Sequence, residues 1–336
     1  MKLWSIQVLR FVAALLVVHL HAVERTQEIV GDYGILGHVA GLLGRCGVDL
    51  FFVISGLIIA RTSQGLTATE FIAKRARRIL PLYLLFASAW ALKDAVAGTL
   101  GWRDLLATGA LWPASDRMTV PLLPAGWTLC FEVLFYAGFA FTIWRPRVIW
   151  LLAGAYLVAL SWRSGPVSQF VGNPIILEFL FGVIIAQAPR WRPALVGIPL
   201  GAGVLVLGAV LRWPPFGGEL DFLMGRDGWI RVLTLGVPAA LIVWGALQIE
   251  VPESPFTYLG DASYSLYLVH APLVGGVALL LTRYTSLPAD VVILTAVACS
   301  VIVAVRVHEL FEKPMLAYLR PAGPPARSPA ETRSAT

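Results

Sequence analysis

The stretch "QVLRFVAALLVVHLHA", residues 7–22, has the apolar character of a membrane-spanning helix, yet it carries one arginine and two histidines. A charged side chain at the centre of a bilayer costs about 3 kcal/mol or more. Such groups therefore face the interior of a helix bundle more often than lipid, and they mark a site or a pathway. The stretch predicts a transmembrane bundle with a polar site beside its first helix.

Composition places the whole chain in the membrane class. Of its 336 residues, 58% are apolar and 14% are charged, and the mean hydropathy is positive. A soluble domain usually carries about 25% charged residues, so this chain has too little polar surface for a soluble globule. Apolar runs of about 20 residues predict an all-α, polytopic transmembrane helix bundle with about ten membrane-spanning helices. The predicted spans are 3–23, 39–60, 79–97, 127–144, 148–162, 173–189, 194–211, 229–248, 264–282 and 290–308.

These spans belong to one predicted transmembrane domain, residues 1–319. The first helix lacks the short apolar core and the small-residue cleavage site of a signal peptide, so we expect it to be retained as a span. The segment "RPAGPPARSPAETRSAT", residues 320–336, is rich in Pro, Ala and polar residues. Because such a composition cannot bury enough surface to fold, we predict a disordered cytoplasmic tail.

The distribution of Lys and Arg predicts the orientation in the membrane, since these residues collect on the cytoplasmic side of short loops. If the N-terminus lies inside, the inner segments hold about twice as many of them as the outer ones, including the cluster at residues 74–78. The sequence therefore predicts that both termini are cytoplasmic. The net charge of +6 follows mostly from this asymmetry and does not indicate a nucleic-acid partner.

Three cysteines, Cys46, Cys130 and Cys299, lie within or beside predicted helices. Their number is odd and their spacing matches no metal site, so the sequence predicts neither a disulfide framework nor a bound metal. We expect all three to behave as small buried apolar side chains.

Helix geometry distinguishes the two histidines of the opening stretch. At about 100° per residue, the step from Arg10 to His21 comes within about 20° of three full turns, which places both on one face about 16 Å apart. His19 lies about 180° away from Arg10. The pattern therefore nominates His21 as the companion of Arg10. The alternative is that Arg10 extends to the inner surface while the histidines lie in the outer interface.

Other ionisable residues within the predicted spans extend this polar site. They are Asp49, Glu132, Glu178 and His270. In the ninth span Ser263, Tyr267 and His270 follow the spacing i, i+4, i+7 and form one polar stripe. Groups at such depths usually face the bundle interior. The alternative for each is an interhelical hydrogen bond that only stabilises packing.

Five stretches in order along the chain resemble the acyltransferase 3 family of bacterial membrane O-acyltransferases, particularly its exopolysaccharide-modifying branch. They are "LRFVAALLVVHLHA", "GVDLFFVISGLIIA", "FIAKRARRILPLY", "WTLCFEVLFY" and "LGDASYSLYLVHAPL". The similarity runs from about Ile6 to Pro314. Arg10 and His21 match the family's arginine and histidine separated by ten residues, the pair that it needs for activity.

The resemblance implies a reaction and its partners. A roughly ten-helix bundle in the bacterial cytoplasmic (inner) membrane would move an acyl group, usually acetyl, from cytoplasmic acyl-CoA to a hydroxyl of a sugar-containing acceptor. Acetyl-CoA, or another acyl-CoA, would be a co-substrate, with no permanently bound cofactor. The acceptor would be a glycan, a glycoside or a lipid-linked sugar at the cell surface or secreted from the cell.

The predicted topology places a donor group at the inner side, where guanidinium groups can bind phosphate. Its predicted donor-binding residues are Arg10, Arg75, Arg78, Tyr267 and His270. Arg75 and Arg78 are favoured within the basic segment 74–78 because they share a helix face. The alternative for this segment is an anchor that touches anionic lipids.

A second predicted group lies toward the outer side and would act on the acceptor. His21 is the predicted general base, supported by the carboxylate of Glu132, with Trp127 in the same outer half of the bundle. Further site candidates are Asp49, Ser263 and Glu178.

Two other classes of protein also fit parts of the pattern. A transporter or flippase for a lipid-linked glycan would use buried Arg, His and carboxylate groups as a proton relay. Against it, the sequence has no paired halves with matched helix breaks of the kind that many transporters show. A structural partner in an envelope complex would leave the polar stripes without a role.

The orientation is testable by cysteine-accessibility labelling or by reporter fusions. We expect Thr336 to be cytoplasmic and the segment around Asp116 to be external. The reason is that Lys and Arg are concentrated in the segments on the same side of the membrane as the N-terminus. An external C-terminus would exchange the donor and acceptor ends and overturn the predicted division of the site.

Overall fold

The described part of the chain is a bundle of apolar helices. The computed structural model describes residues 3–189, 191–211 and 217–319, without the side chains of residues 38–42. Within these ranges, nine helices are long and apolar enough to cross a membrane, and Val148–Ser161 is a shorter apolar helix. These ten segments lie at the ten predicted positions, which confirms the transmembrane helix bundle. The predicted tail, residues 320–336, lies outside the described residues.

The first three helices are long and continuous, whereas several later spans consist of shorter pieces. The helices are α1 (Trp4–Val30), α2 (Gly34–Thr62), α3 (Ala68–Val96), α4 (Trp102–Gly109), α5 (Gly126–Trp144), α6 (Val148–Ser161), α7 (Pro166–Val171), α8 (Ile176–Gln187), α9 (Gly197–Leu211), α10 (Glu219–Met224), α11 (Gly228–Arg231), α12 (Val237–Ala246), α13 (Pro255–Asp261), α14 (Ser263–Tyr284), α15 (Ala289–Val307) and α16 (Lys313–Tyr318). A 3₁₀ turn, Arg192–Val196, precedes α9. Two π-helical turns, Val232–Gly236 and His308–Glu312, join α11 to α12 and α15 to α16.

Helix α1 packs against α2, α13, α14 and α15, so its polar face is enclosed by protein. It ends at Val30 because Gly31 adopts a left-handed conformation, with φ of 78°, and closes the last turn on Gln27 O at 2.9 Å. We call the end of the bundle where α1 begins and α2 ends the inner end.

Small residues let α2 approach its neighbours closely. A Cβ atom on Gly47 would lie 2.4 Å from Ala13 O of α1, and one on Gly56 would lie 1.9 Å from Phe179 O of α8. Close backbone contact at small residues is a common basis of helix association in membranes. Helix α2 is therefore held directly against α1 and α8.

A carboxylate from α15 fixes the start of α2. Asp290 accepts hydrogen bonds from the backbone N–H groups of Ile35, at 3.2 Å, and Leu36, at 2.9 Å. The first turn of a helix has no intrahelical partners for these donors, and it attracts negative charge. The contact ties the connection between α1 and α2 to the beginning of α15.

The segment between α3 and α5 is anchored by side-chain hydrogen bonds. The Tyr83 hydroxyl donates to Thr108 O at 2.9 Å, and Leu122 N–H donates to the Thr108 hydroxyl at 2.9 Å. On the surface of this segment, hydrogen bonding from the Arg103 guanidinium holds the pKa of the Asp116 carboxyl well below its usual range. The hydrogen bonds of Thr108 connect the segment both to α3 and to the residues just before α5.

A buried ion pair connects α2 to the span that begins with α11. Arg231 donates from Nε to Asp49 Oδ1 at 3.0 Å and from Nη2 to Asp49 Oδ2 at 2.7 Å. The two side chains are only 3% and 0% exposed. A bidentate pair of this kind lets each of two buried charges neutralise the other.

Removal of one partner should destabilise the bundle strongly. We expect Asp49→Ala to cost about 3–5 kcal/mol, because Arg231 would keep a buried charge without its carboxylate. The matched control is Asp221→Ala, which breaks a half-exposed pair with Arg226 at 2.8 Å and should cost about 1 kcal/mol or less. Thermal unfolding of both purified variants in detergent measures the difference. Equal melting temperatures would contradict a stabilising role for the buried pair.

Candidate active site

A cavity of about 790 Å³ lies at the inner end of the bundle, between α1, α2, α3, α5 and α14. Its described lining contains six basic side chains and two carboxylates. The basic residues are Arg10, Lys74, Arg75, Arg77, Arg78 and Lys313, and the carboxylates are Glu132 and Asp261. A concave surface with this excess of cationic side chains attracts an anionic ligand.

Arg10 reaches the cavity from the second turn of α1. Its side chain is half-buried, and its Nη1 donates to Gln7 Oε1 at 3.2 Å, one turn earlier on the same helix. Both residues line the cavity. The predicted intramembrane arginine is therefore directed into a polar space within the protein.

The basic segment of α3 is positioned by a capping box. The Thr67 hydroxyl accepts from Glu70 N–H at 3.3 Å, while the Glu70 carboxylate accepts from Thr67 N–H at 2.8 Å. This reciprocal pair begins the helix at Ala68. Arg75 and Arg78 lie two and three turns after this start.

Arg75 and Arg78, predicted as donor ligands, both line the cavity, and each is held by a partner. Arg75 donates to the Thr62 hydroxyl at 2.5 Å, and its guanidinium lies 5.8 Å from the ring centre of Tyr136. Arg78 pairs with Glu312 at 2.5 Å. Arg77, which the sequence argument did not favour, also lines the cavity.

Glu132 lies in this cavity and not beside His21. Its Oε1 accepts from the Ser55 hydroxyl at 2.9 Å and from the Tyr136 hydroxyl at 2.5 Å. The predicted support of His21 by Glu132 is therefore wrong: the carboxylate is satisfied by two hydroxyls at its own level. Its position instead groups it with Arg10.

The partner of His21 is His270. The two ring centres lie 5.0 Å apart, and His270 is only 2% exposed. His270 is not among the described residues that line the cavity, and its part in donor binding stays a prediction. One turn beyond Tyr267, the stripe on α14 has left the cavity and faces α1.

The hydrogen bonding of His21 favours one tautomer of its ring. The Nδ1 atom lies 2.8 Å from the backbone carbonyl of Val17, which can only accept a hydrogen bond. Nδ1 of the neutral ring therefore carries the proton, and Nε2 keeps its lone pair. That arrangement leaves Nε2 able to accept a proton from a hydroxyl.

Tyr267 lies between the cavity and the histidine pair. It lines the cavity, its hydroxyl is 2.8 Å from the Thr128 hydroxyl, and its ring centre is 5.7 Å from that of His270. Three residues of helix correspond to about 4.5 Å along the axis. The cavity thus ends about one helical turn short of the histidines.

Ser263, at the start of the same stripe, lines the cavity near its inner end. Its residue is fully buried, and its hydroxyl has no hydrogen-bond partner within the described part of the chain. A buried hydroxyl without a partner is uncommon in native proteins, which keeps Ser263 a candidate contact for a ligand in the cavity.

Asp49, Trp127 and Glu178 do not line the cavity. Asp49 is paired with Arg231, and the Arg231 guanidinium lies 5.8 Å from the ring centre of Trp127. Glu178 is fully buried, and its Oε1 would lie 2.8 Å from a Cβ atom on Gly236. For Asp49, the interhelical alternative raised by the sequence is what the structure shows.

Three polar residues with defined contacts escaped the sequence argument: Arg231, His308 and Glu312. A signal for Arg231 was present, since it is an arginine inside the predicted span 229–248 and follows the same rule as Arg10. His308 and Glu312 fall at and beyond the predicted end of the last span. Ionisable residues are common outside membrane spans, so they gave no signal there. The helical segment continues through them to Tyr318.

Comparison with known proteins identifies the family. The profile of the acyltransferase 3 family, described as an acyltransferase domain, matches residues 3–307. The exopolysaccharide production protein ExoZ of Rhizobium meliloti (strain 1021) is 34% identical over an alignment of 299 positions, covering 82% of this chain and 90% of ExoZ. The acyltransferase MdmB of Streptomyces mycarofaciens is 25% identical over an alignment of 387 positions, covering 98% of this chain and 95% of MdmB. No solved structure matches the chain.

The profile covers nearly the whole transmembrane bundle, including the histidine pair and most of the residues that line the cavity. Together with the two relatives, it shows the class of reaction as well as the fold. The chain belongs to the acyltransferase 3 family and is a membrane acyltransferase.

Proposed function

We propose that this acyltransferase moves an acetyl group, or another short acyl group, from cytoplasmic acyl-CoA to a hydroxyl of a glycan or a lipid-linked sugar. The observation that carries the proposal is the arrangement of the site: a strongly basic cavity ends about one helical turn from a histidine with a free lone pair. This arrangement fits a phosphate-bearing donor on one side and an acceptor hydroxyl on the other.

The donor side of the proposal rests on charge. Coenzyme A carries several phosphate charges, and guanidinium groups bind phosphate through paired, charge-assisted hydrogen bonds. Arg10, Arg75 and Arg78 lie around one cavity and offer such groups. In this proposal the inner end of the bundle faces the cytoplasm, both termini are cytoplasmic, and the protein lies in the bacterial inner membrane.

The transfer step follows from the tautomer of His21. Nε2 takes the proton of the acceptor hydroxyl, and the hydroxyl oxygen attacks the thioester carbonyl carbon. The C–S bond then breaks, and the thiolate of CoA receives the proton from the His21 imidazolium. The thin pantetheine arm has to pass Tyr267 and Thr128 to bring the thioester to His21, and the ring of His270 positions the His21 ring.

Glu132 acts within the donor cavity in this scheme. Its carboxylate holds the hydroxyls of Ser55 and Tyr136 and contributes a negative charge opposite the basic side chains. The role of a supporting carboxylate for His21 falls away, so the predicted catalytic contribution of Glu132 becomes one of electrostatic balance and order around the donor.

Two points support the proposed class of acceptor: the described role of a relative, and the proposed position of His21 toward the outer side of the membrane. ExoZ is described as an exopolysaccharide production protein, which supports a glycan or a precursor of one as acceptor for this chain. A transporter for a lipid-linked glycan, the rival interpretation, would neither bind nor consume acyl-CoA. Incubation of the purified protein with acetyl-CoA and a candidate glycan therefore separates the two functions.

The donor assignment predicts a loss of affinity on removal of Arg10. We expect Arg10→Ala to weaken acetyl-CoA binding about 10- to 100-fold, the usual effect of a lost hydrogen bond to a charged group. Arg10→Lys should restore little if the contact is bidentate. Direct binding of labelled acetyl-CoA measures both. The control is Arg306→Ala, an exposed arginine outside the cavity, and equal affinity in Arg10→Ala and Arg306→Ala would count against the assignment.

The acceptor assignment predicts opposite results for the two histidines of α1. His21→Ala should reduce acyl transfer by about 10²–10⁴-fold while acetyl-CoA binding survives, because only the general base is lost. His19→Ala should have a mild effect, since His19 lies about half a turn away from the Arg10 face. Transfer is measured at matched expression. An inactive His19→Ala with an active His21→Ala would contradict the assignment of His21 to the Arg10 face and its role as the base.

A further inference from the structure

Glu312 is a buried carboxylate at the inner end that has no role in the transfer step described above. Glu312 ends the π-helical turn His308–Glu312 between α15 and α16, and it is 2% exposed. Such π-helical turns are rare and often occur at functional sites. An ionised side chain at this position requires strong partners, because a buried charge without them is costly.

Glu312 draws those partners from three segments of the chain. Its Oε2 accepts a hydrogen bond from the Ser265 hydroxyl of α14 at 2.6 Å and lies 2.7 Å from His308 Nδ1. Its Oε1 lies 2.5 Å from Arg78 Nη1 of α3. The two oxygens therefore have separate tasks: one is held by its neighbours, and the other faces the arginine.

Because its contacts hold the Glu312 carboxylate in place, the carboxylate can in turn hold the guanidinium of Arg78 in one position. Ser265 is fully buried and His308 is 3% exposed, so the oxygen that they hold has little freedom to move. Arg78 is about one-third exposed on the wall of the cavity, and its guanidinium lies 5.9 Å from the ring centre of Tyr264. A guanidinium has five N–H donors in a rigid fork. The ion pair through Nη1 consequently fixes where the guanidinium lies, although it lacks the geometry of a hydrogen bond, and other N–H groups remain for a ligand.

We propose that Glu312, supported by His308 and Ser265, is a positioning residue that orients Arg78 for a phosphate group of acyl-CoA. This inference rests on the proposed function, because it assumes that the cavity binds acyl-CoA. Glu312 itself need not touch the donor, since the carboxylate would repel a phosphate. Its effect passes through the guanidinium of Arg78.

The test is a double-mutant cycle on the full-length protein in detergent, with labelled acetyl-CoA as the probe. Glu312→Gln keeps the shape of the side chain and removes its charge, and we expect acetyl-CoA affinity to fall about 10-fold. Arg78→Ala should lower the affinity by a similar factor. Because Glu312 acts through Arg78, the double variant should bind no more weakly than Arg78→Ala alone.

A neighbouring glutamate on the same helical segment supplies the matched control. Glu309 pairs with exposed Arg306 at 3.2 Å and accepts from the Tyr258 hydroxyl at 2.9 Å, away from the cavity lining. Glu309→Gln should leave acetyl-CoA affinity unchanged within about two-fold. If Glu312→Gln does not fold, Ser265→Ala tests the same contact by removal of one hydrogen bond to Oε2, and its loss of affinity should likewise vanish in the Arg78→Ala background.

The outcomes separate this inference from the proposed function. Affinity unchanged in Glu312→Gln, or losses that add in the double variant, would overturn the positioning role while acetyl-CoA binding by the unmodified protein still stands. A lower melting temperature with unchanged affinity would likewise assign Glu312 to stability alone. Failure of the unmodified protein to bind acetyl-CoA would instead refute the proposed donor, and with it this inference.

Discussion

The constraint on which this structure depends is the absence of water in the hydrocarbon layer, because an ionisable group in a span is costly unless it finds a partner within the protein. Asp49 finds Arg231, Glu132 finds two hydroxyls, and Glu312 finds an arginine, a serine and a histidine. Each solution joins different helices. The polar contacts therefore determine which helices surround the cavity as well as satisfying the charges.

The same constraint explains why the site has two compartments. Charged side chains cost less at the end of a bundle than at its centre, and the basic cavity lies at the inner end. His21 and His270 pack against each other deeper in the bundle. Tyr267 and Thr128, joined at 2.8 Å, lie where one compartment gives way to the other. Tyr267 and its hydroxyl contact therefore separate the lined cavity from the histidine pair.

Sequence reasoning succeeded where a single helix carries the information. The ten helical segments follow from apolar runs, and the placement of Arg10 at the cavity follows from the rule for charges in membranes. It failed where the answer depends on how helices meet. The sequence placed Glu132 level with His21, but Glu132 bonds to Ser55, about two turns before the inner end of α2, and no pattern within one helix shows which level of a neighbouring helix it meets. Arg231 was missed for another reason: an arginine inside a predicted apolar run was passed over, although Asp49 required such a partner.

The spacing of Arg10 and His21 acquires a physical meaning from this arrangement. Eleven residues of helix place the two side chains on one face about 16 Å apart. That separation spans the depth from the inner cavity to the histidine pair, and α14 faces both ends of it through Ser263 and His270. Because a helix is stiff, a single element fixes the distance between the proposed site for phosphate and the proposed site for proton transfer. A shift of either residue by one position would turn its side chain by about 100° and remove it from that shared face, so the helix period restricts which spacings keep the two residues together.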